Sequence, residues 1–489
     1  MRSSAHVLEI GLQWYLELLG LISLSIALFN ALEVSLAKHR SIGKTSPMAT
    51  TTPGAERSTR LDLGDAESFC LEVGSSAFFV SGIPVAVARA PGRLDILGGI
   101  SDYSGGLVLE LPLRVAALAA AQRTEDGRVV AVSGGRRIAA DADALAHASL
   151  DELAATFTGQ DAWGAYVLGP VALLAREQGL LLPGLRVLIS SSIPEGKGLG
   201  SSAAVEIAVL HAVMTCLGAA RGSRELALLA QRAEQIFAGA PCGVMDQMTV
   251  MHGEEGELLA LLCRPAEIVA SVPLPRTLAA WAIDSGLRHA VSGDVYRRVR
   301  CAAFMGHALL ECAAGHLAEF ERDDVNVRLL PQRMLGADFL QLREGITDPV
   351  SAVEPAVEYG VRAATLFPLE EHARAREFLA LLDDQPDDNA LRRIGELMYE
   401  SHAGYSLCGL GVPRTDEIVE VVRAAGMREG LIGARISGGG SGGAVVVLGR
   451  PEAEPHVRAI AESLGAGLVG GSSPGAARFG VRIVHGRVN

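Results

Sequence analysis

Between Pro194 and Glu206 the chain reads PEGKGLGSSAAVE, a proline and three glycines followed at once by two serines and a helix-forming run. Gly196, Gly198 and Gly200 permit backbone conformations closed to other residues, so a loop can curl directly into a helix N-terminus. The first N–H groups of such a helix lack intrahelical partners and carry the positive end of its dipole, a setting that suits phosphate oxygens. Pro194, Gly196, Gly198, Leu199, Gly200, Ser201, Ser202 and Ala203 are therefore the candidate phosphate contacts. The hydroxyls of Ser201 and Ser202 can cap the helix or reach a magnesium ion riding on the phosphates. The same residues also read as a plain glycine-rich turn ahead of a core helix. Two familiar phosphate loops do not fit. A Walker loop needs Ser or Thr after its lysine, whereas Lys197 precedes Gly198, and no acidic residue follows at the distance a dinucleotide fingerprint requires.

Two further groupings carry charge near permissive backbone. APGRLDILGG with SDYSGG brings Arg93, Asp95 and Asp102 between two glycine-punctuated turns, which suits a small polar ligand or, equally, a hairpin with a solvated charge cluster. GAPCGVMDQM sets Asp246 behind a Pro/Gly turn among Val244, Met245 and Met248. A buried carboxylate there requires a partner or a task. A helix cap or an ion pair is the structural alternative, and Arg93 can supply the partner in either case. Gly439 to Gly443 matches G-x-S-x-G in form, but it leads into a strand rather than a helix, so it is not a nucleophile elbow.

Elements must position these groups. Ile83–Ala88 and Leu107–Leu113 read as strands around the first grouping, and Asp161–Glu177 reads as a helix. The strand Leu181–Ser190 delivers the chain to the glycine loop. Ala203–Leu217 is apolar almost all round and should be buried. Ser223–Phe237 is amphipathic and carries Glu234. Trp281–Ser285 reads as a strand ahead of a helix containing Tyr296, residues 323–355 as loops over short helices, Leu369–Leu382 as a surface helix, and Ala444–Leu448 as a strand. β-prone segments around helices in both halves point to an α+β protein with two lobes.

With 489 residues, 49% hydrophobic and 20% charged, the composition is that of a globular enzyme of two to three domains. A net charge of −13 argues against a nucleic-acid partner. Seven cysteines without a C-x-x-C pair suggest neither a disulfide framework nor a zinc site, and fit a reducing cytoplasm. Leu18–Phe29 is too short and interrupted for a membrane span, and no stable membrane association is expected. A signal peptide with Arg2 as its charged end is one reading of this region. The preferred one is that translation starts at Met48 and residues 1–47 are a dispensable extension. The polar stretch Ala49–Asp65 suits a disordered start.

Taken together, APGRLDILGGISDYSGGLVLELPL, PEGKGLGSSAA and GARISGGGSGG resemble, in order, the three motifs of the GHMP kinase superfamily. Within it the chain is similar to galactokinases and, through GGISDYSGGLVL, GAPCGVMDQM and IDSGLRHAVSGDVY, to the kinase part of plant L-arabinokinases. The resemblance spans roughly residue 85 to the C-terminus. It implies a two-lobed α+β fold, with lobes at 48–275 and 276–489. ATP and magnesium would lie in the cleft between them, and the γ-phosphoryl group would pass to the anomeric hydroxyl of a sugar. Asp246 falls on the catalytic carboxylate and Arg93 on its cationic partner. Ser202 and Glu234 fall on magnesium positions, and Asp102, Gly243 and Tyr296 on sugar contacts.

One departure bears on the substrate. Galactokinases carry Glu-His where this chain has Gly99-Ile100, and the Glu reaches the sugar's hydroxymethyl group. L-arabinopyranose lacks that group, and a buried Glu left without it would face an unsatisfied-polar cost of about 1–3 kcal/mol. The expectation is an L-arabinose 1-kinase. The alternatives are a galactose, galacturonate or glucuronate 1-kinase, and a catalytically silent sensor of sugar and ATP. On this reading, Gly99→Glu with Ile100→His should shift preference toward galactose.

Overall fold

The computed structural model describes residues 64–288, 293–310, 315–320, 325–383, 385–469 and 480–485. The expectations for residues 1–47, the start at Met48 and the polar stretch through residue 63 fall outside them. Asp65, at the end of that stretch, lies in helix α1 (Gly64–Ser75) and pairs with Arg89 at 3.0 Å.

Two long antiparallel strands, β1 (Pro84–Leu97) and β2 (Leu107–Arg123), form the spine. Their small and β-branched residues are covered on both faces. Val85, Val87, Leu118 and Ala120 pack under α1, while Ala88, Ala90, Ala117, Ala119 and Ala121 join the main core. The period of two along each strand sorts these sets. Both strands outrun their expected ends, because the segment after Ala88 stays paired through bulges near Pro91–Arg93 and Asp95–Leu97. That carries the first charged motif inside the sheet rather than onto a solvated turn. Beyond Leu97 a 3₁₀ helix, Gly99–Ser104, closes the connection.

Strands β3 (Arg128–Ser133), β4 (Arg136–Asp141), β5 (Leu185–Ser191), β6 (Glu257–Leu262), β7 (Glu267–Pro273) and β12 (Gly480–His485) complete the eight-stranded sheet. Its order is β12-β1-β2-β5-β3-β4, with β6 joining β2 to β7, and only β3 and β5 are parallel. The expected helix Asp161–Glu177 is divided into a 3₁₀ segment, Gly159–Tyr166, and α2 (Leu168–Gln178). Helix α3 (Ser201–Leu217) packs on β1 and β2, followed by α4 (Ser223–Phe237) and α5 (Met245–His252), whose first turn holds Asp246.

The C-terminal half builds a second sheet of order β9-β10-β8-β11 from β8 (Ala279–Asp284), β9 (Leu431–Ile436), β10 (Ala444–Gly449) and β11 (Gly467–Val469). Helices α8 (Asp388–Leu407) and α9 (Pro413–Ala425) pack on it, while α7 (Val361–Leu381) packs on α8, on α6 (Asp294–Leu309) and on β2 of the first sheet. Helix α7 is not the surface helix the periodicity suggests. It begins at Val361, runs through Pro368 and buries Phe367, Leu369, Glu371, Arg374 and Phe378. Pro368 reads in sequence as a break, and it conceals the first two turns.

Candidate active site

A cavity of about 460 Å³ opens between the glycine loop ahead of α3, the first turn of α5, the 3₁₀ turn after β1 and the loop before β10. Arg93, Asp102, Gly196, Gly198, Leu199, Gly200, Ser201, Ser202, Glu234, Gly243, Asp246 and Tyr296 all line it. Pro194 and Ala203 do not; Ala203 is fully buried in the core.

The glycine loop is held by its carbonyls. The Arg93 N–H donates to Leu199 O (3.0 Å), Arg93 Nη1 and Ser437 Oγ donate to Gly198 O (2.5 and 3.1 Å), and the Ala444 N–H donates to Lys197 O (2.8 Å). With three successive carbonyls turned inward, the loop can offer N–H groups to the cavity. Gly196, Gly198 and Gly200 all have positive φ, near 70°. A Cβ on Gly198 would lie 2.5 Å from Ser437 O, and one on Gly200 3.0 Å from Arg93 Cγ. Gly200 is the N-cap of α3 and no serine side chain caps it. The hydroxyls of Ser201 and Ser202 are therefore not spent on the cap the sequence suggested.

Opposite the loop, Arg93 donates to Asp246 Oδ1 through both Nε (2.9 Å) and Nη2 (2.7 Å). Burial pulls the Arg93 guanidinium down, but the charges of Asp246, Glu110 and Asp95 outweigh it and hold the group above its ordinary range. It stays charged. Glu110, fully buried on β2, sits 3.3 Å from Arg93 Nε, and neither of its oxygens has a hydrogen-bond partner among the described residues. Burial, then the charge of Asp95, pushes its carboxyl well above the usual range. Sequence reasoning passed over Glu110 because a lone acid in an apolar strand resembles an ordinary solvated position. Its one signal is the apolar residues on both sides.

Asp102 takes the Tyr103 N–H at 2.5 Å and lies against Gly243, where a Cβ would come within 1.8 Å of Oδ2. Only glycine fits at 243. Burial, then the charge of Asp246, lifts the Asp102 carboxyl to about 7. Arg300 steadies this wall. It pairs with the buried Asp348 at 2.8 Å, donates to Pro241 O (2.9 Å) and Cys242 O (3.3 Å), and lies over the Tyr103 ring. Tyr296 stands edge-on to Tyr103, with ring centroids 6.0 Å apart.

Glu234 is buried, receives hydrogen bonds from the side chains of Ser202, Cys242 and Gln247, and is lifted to about 7 by burial first and Asp246 second. A carboxylate and a hydroxyl side by side next to the glycine loop fit the sparse protein ligation magnesium takes when phosphates and water supply the rest. Among the described residues no cluster of three or more His, Cys, Asp or Glu could hold a metal by itself. Unmentioned in the sequence reading, Arg136 also lines the cavity, where it lies over the Trp163 ring at 5.3 Å and pairs with Glu195 at 3.0 Å.

Comparison with known proteins places the chain in a family. The GHMP kinases N terminal domain matches residues 165–254, the GHMP kinases C terminal domain 378–466, and the galactokinase galactose-binding signature 76–123. The chain belongs to the GHMP kinase family, with its two-lobed α+β fold. Among individual relatives, it is 35% identical to an L-arabinokinase of Arabidopsis thaliana over 83% of this chain, and spans 47% of that protein's length. It is 32% identical to a galactokinase of Chloroflexus aggregans over 75% of this chain and 84% of that one. Lactococcus lactis galactokinase complexed with galactose shares the fold at a TM-score of 0.65 and 20% identity, covering 83% of this chain and 96% of that one. No helix among the described residues is long and apolar enough to cross a membrane.

Proposed function

We propose that the protein is an ATP-dependent sugar 1-kinase whose substrate is L-arabinose, with residues 48–275 and 276–489 as its two lobes and the cytoplasm as its compartment. The observation that carries the reading is that the Arg93–Asp246 pair and the glycine loop wall a single cavity. Nucleotide phosphates rest on the loop and the N-terminus of α3, and the sugar occupies the end lined by Asp102, Gly243 and Tyr296. Asp246 Oδ1 is engaged by Arg93, which leaves Oδ2 for the anomeric hydroxyl. The C1 oxygen attacks the γ-phosphorus, the bond from that phosphorus to the β–γ bridging oxygen breaks, ADP leaves, and the hydroxyl proton passes to Asp246. Arg93 offsets negative charge on the transferred group. Ser202 and Glu234 would hold magnesium, which when bound neutralises phosphate charge.

The choice of sugar is supported by Gly99 and Ile100. Both line the cavity, and neither offers a polar side chain to an exocyclic hydroxymethyl. The resemblance to an L-arabinokinase points the same way. Asp246→Asn should lower kcat by about a hundredfold or more with ATP affinity little changed, the range for a positioned acid–base group. Sugar-dependent ADP release and nucleotide binding measure the two. Near-wild-type turnover in the variant, or nucleotide binding without sugar-dependent ADP release in the wild type, would contradict the assignment, and the latter would favour a sensor.

A further inference from the structure

The Gly99–Ile100 turn rests on a buried network. Tyr405, on α8 and fully buried, accepts the Ile100 N–H at 3.0 Å and donates to Gly438 O at 2.6 Å, tying the turn to the glycine loop before β10. Asp95 accepts the N–H groups of Gly99 (3.2 Å) and Gly438 (3.0 Å) and pairs with Arg435 at 2.8 Å. Glu371 accepts the Gly98 N–H (3.0 Å) and Ser401 Oγ (2.6 Å). Gly99 itself has φ of 49°, and a Cβ there would lie 1.8 Å from Tyr405 Oη, 2.8 Å from its Cζ and 2.9 Å from Arg435 Nη2. No rotamer change at position 99 relieves contacts that begin at the first side-chain carbon. The turn therefore stays bare for as long as Tyr405 stands behind it.

We propose that Tyr405 is a specificity-determining positioning residue. By filling the space a side chain at 99 would need, and by clamping the turn between Ile100 and Gly438, it keeps the sugar end of the cavity free of polar side chains there. Such a cavity selects pyranoses without an exocyclic hydroxymethyl. The inference rests on the sugar-kinase reading above and deepens it. It also corrects the expectation that Gly99→Glu with Ile100→His would shift preference, since neither change removes the tyrosine. Arg435 stands behind the same turn, its Nη2 2.9 Å from the site of the new carbon and 3.9 Å from Glu371 Oε1, and it too must give way to a side chain at 99.

The test compares wild type, Tyr405→Phe, Tyr405→Leu, Gly99→Glu and the double variant Tyr405→Leu/Gly99→Glu. The readouts are melting temperature and kcat/KM for L-arabinose and D-galactose. Gly99→Glu alone should lower Tm and reduce kcat/KM at least about tenfold for both sugars. Adding Tyr405→Leu should restore Tm in part, a non-additive effect, and lower the arabinose-to-galactose ratio at least about tenfold relative to wild type. Tyr405→Phe, which keeps the ring and loses the clamp, should raise KM for L-arabinose with kcat less affected. The proposal is overturned if the double variant folds and turns over at the wild-type ratio, or if Gly99→Glu alone is as stable as the double variant. Should the double variant not fold, unchanged KM and unchanged ratio in both Tyr405 single variants overturn it. The wild-type sugar preference is read separately: a wild type that prefers galactose defeats the L-arabinose assignment, whereas the change in ratio and the Tm coupling decide the role of Tyr405.

Discussion

Asp102 and Asp246 sit on one cavity in different surroundings. Asp246 is partly exposed and carries two hydrogen bonds from Arg93, while Asp102 is buried against Gly243 with Asp246 as its electrostatic neighbour. A carboxyl raised from its ordinary value to about 7 binds its proton more tightly in the folded state. Its contribution to stability is full below the unfolded pKa near 4 and is lost as pH rises through about 7. Above that pH the ionised group is a liability in the free protein, with an upper bound of about 4 kcal/mol. Asp102→Asn keeps the amide acceptor for Tyr103 and removes the titration. It should raise the melting temperature of the ligand-free protein at pH 8, with a smaller gain at pH 5.5, while weakening sugar binding. Equal gains at both pH values would show that Asp102 does not titrate in this range.

At the scale of elements, the glycine loop and α3 form a part whose fit depends on three sequence-distant motifs meeting. Gly198 and Gly218 share the left-handed conformation, with φ of 67° and 66°, but a Cβ on Gly198 would meet Ser437 O at 2.5 Å, while one on Gly218 would meet nothing. Gly218→Ala should therefore bear only the conformational cost of about 1 kcal/mol, with KM for ATP unchanged. Gly198→Ala should destabilise more and raise KM for ATP about tenfold, as the loop leaves the Ser437 carbonyl. Identical melting temperatures and nucleotide KM values for the two would contradict the packing argument. Much of this part was legible, because glycines, serines and lone charged residues at turns announce themselves. The helix bounds of α4 and the burial of α3 could be read from periodicity. What was hidden shares one physical trait: Glu110, Glu371, Tyr405 and Arg435 are buried polar groups satisfied or held by partners far along the chain, such as Arg435 and Asp95, 340 residues apart. No local pattern encodes such a pairing. Pro368 misled for the opposite reason, since a strong local rule was overridden by burial of the surrounding helix.

For the whole molecule, two sheets of different size place the motifs on facing walls. The first sheet carries Arg93 and Glu110 on β1 and β2. The second, through β9 and β10, supplies Arg435, Ser437 and the Gly438 loop that clasp the first and second motifs. The ends of the cavity proposed for nucleotide and for sugar are thus built from the same contacts, and on that proposal the identity of the acceptor is a property of the assembled molecule. Its direct test is a panel of L-arabinose, D-galactose, D-galacturonate and D-glucuronate with ATP, scored by kcat/KM and by phosphorus NMR of the product. The account predicts the highest kcat/KM for L-arabinose, with the phosphate on C1. A strong preference for any of the six-carbon sugars, or a phosphate at another position, would contradict it.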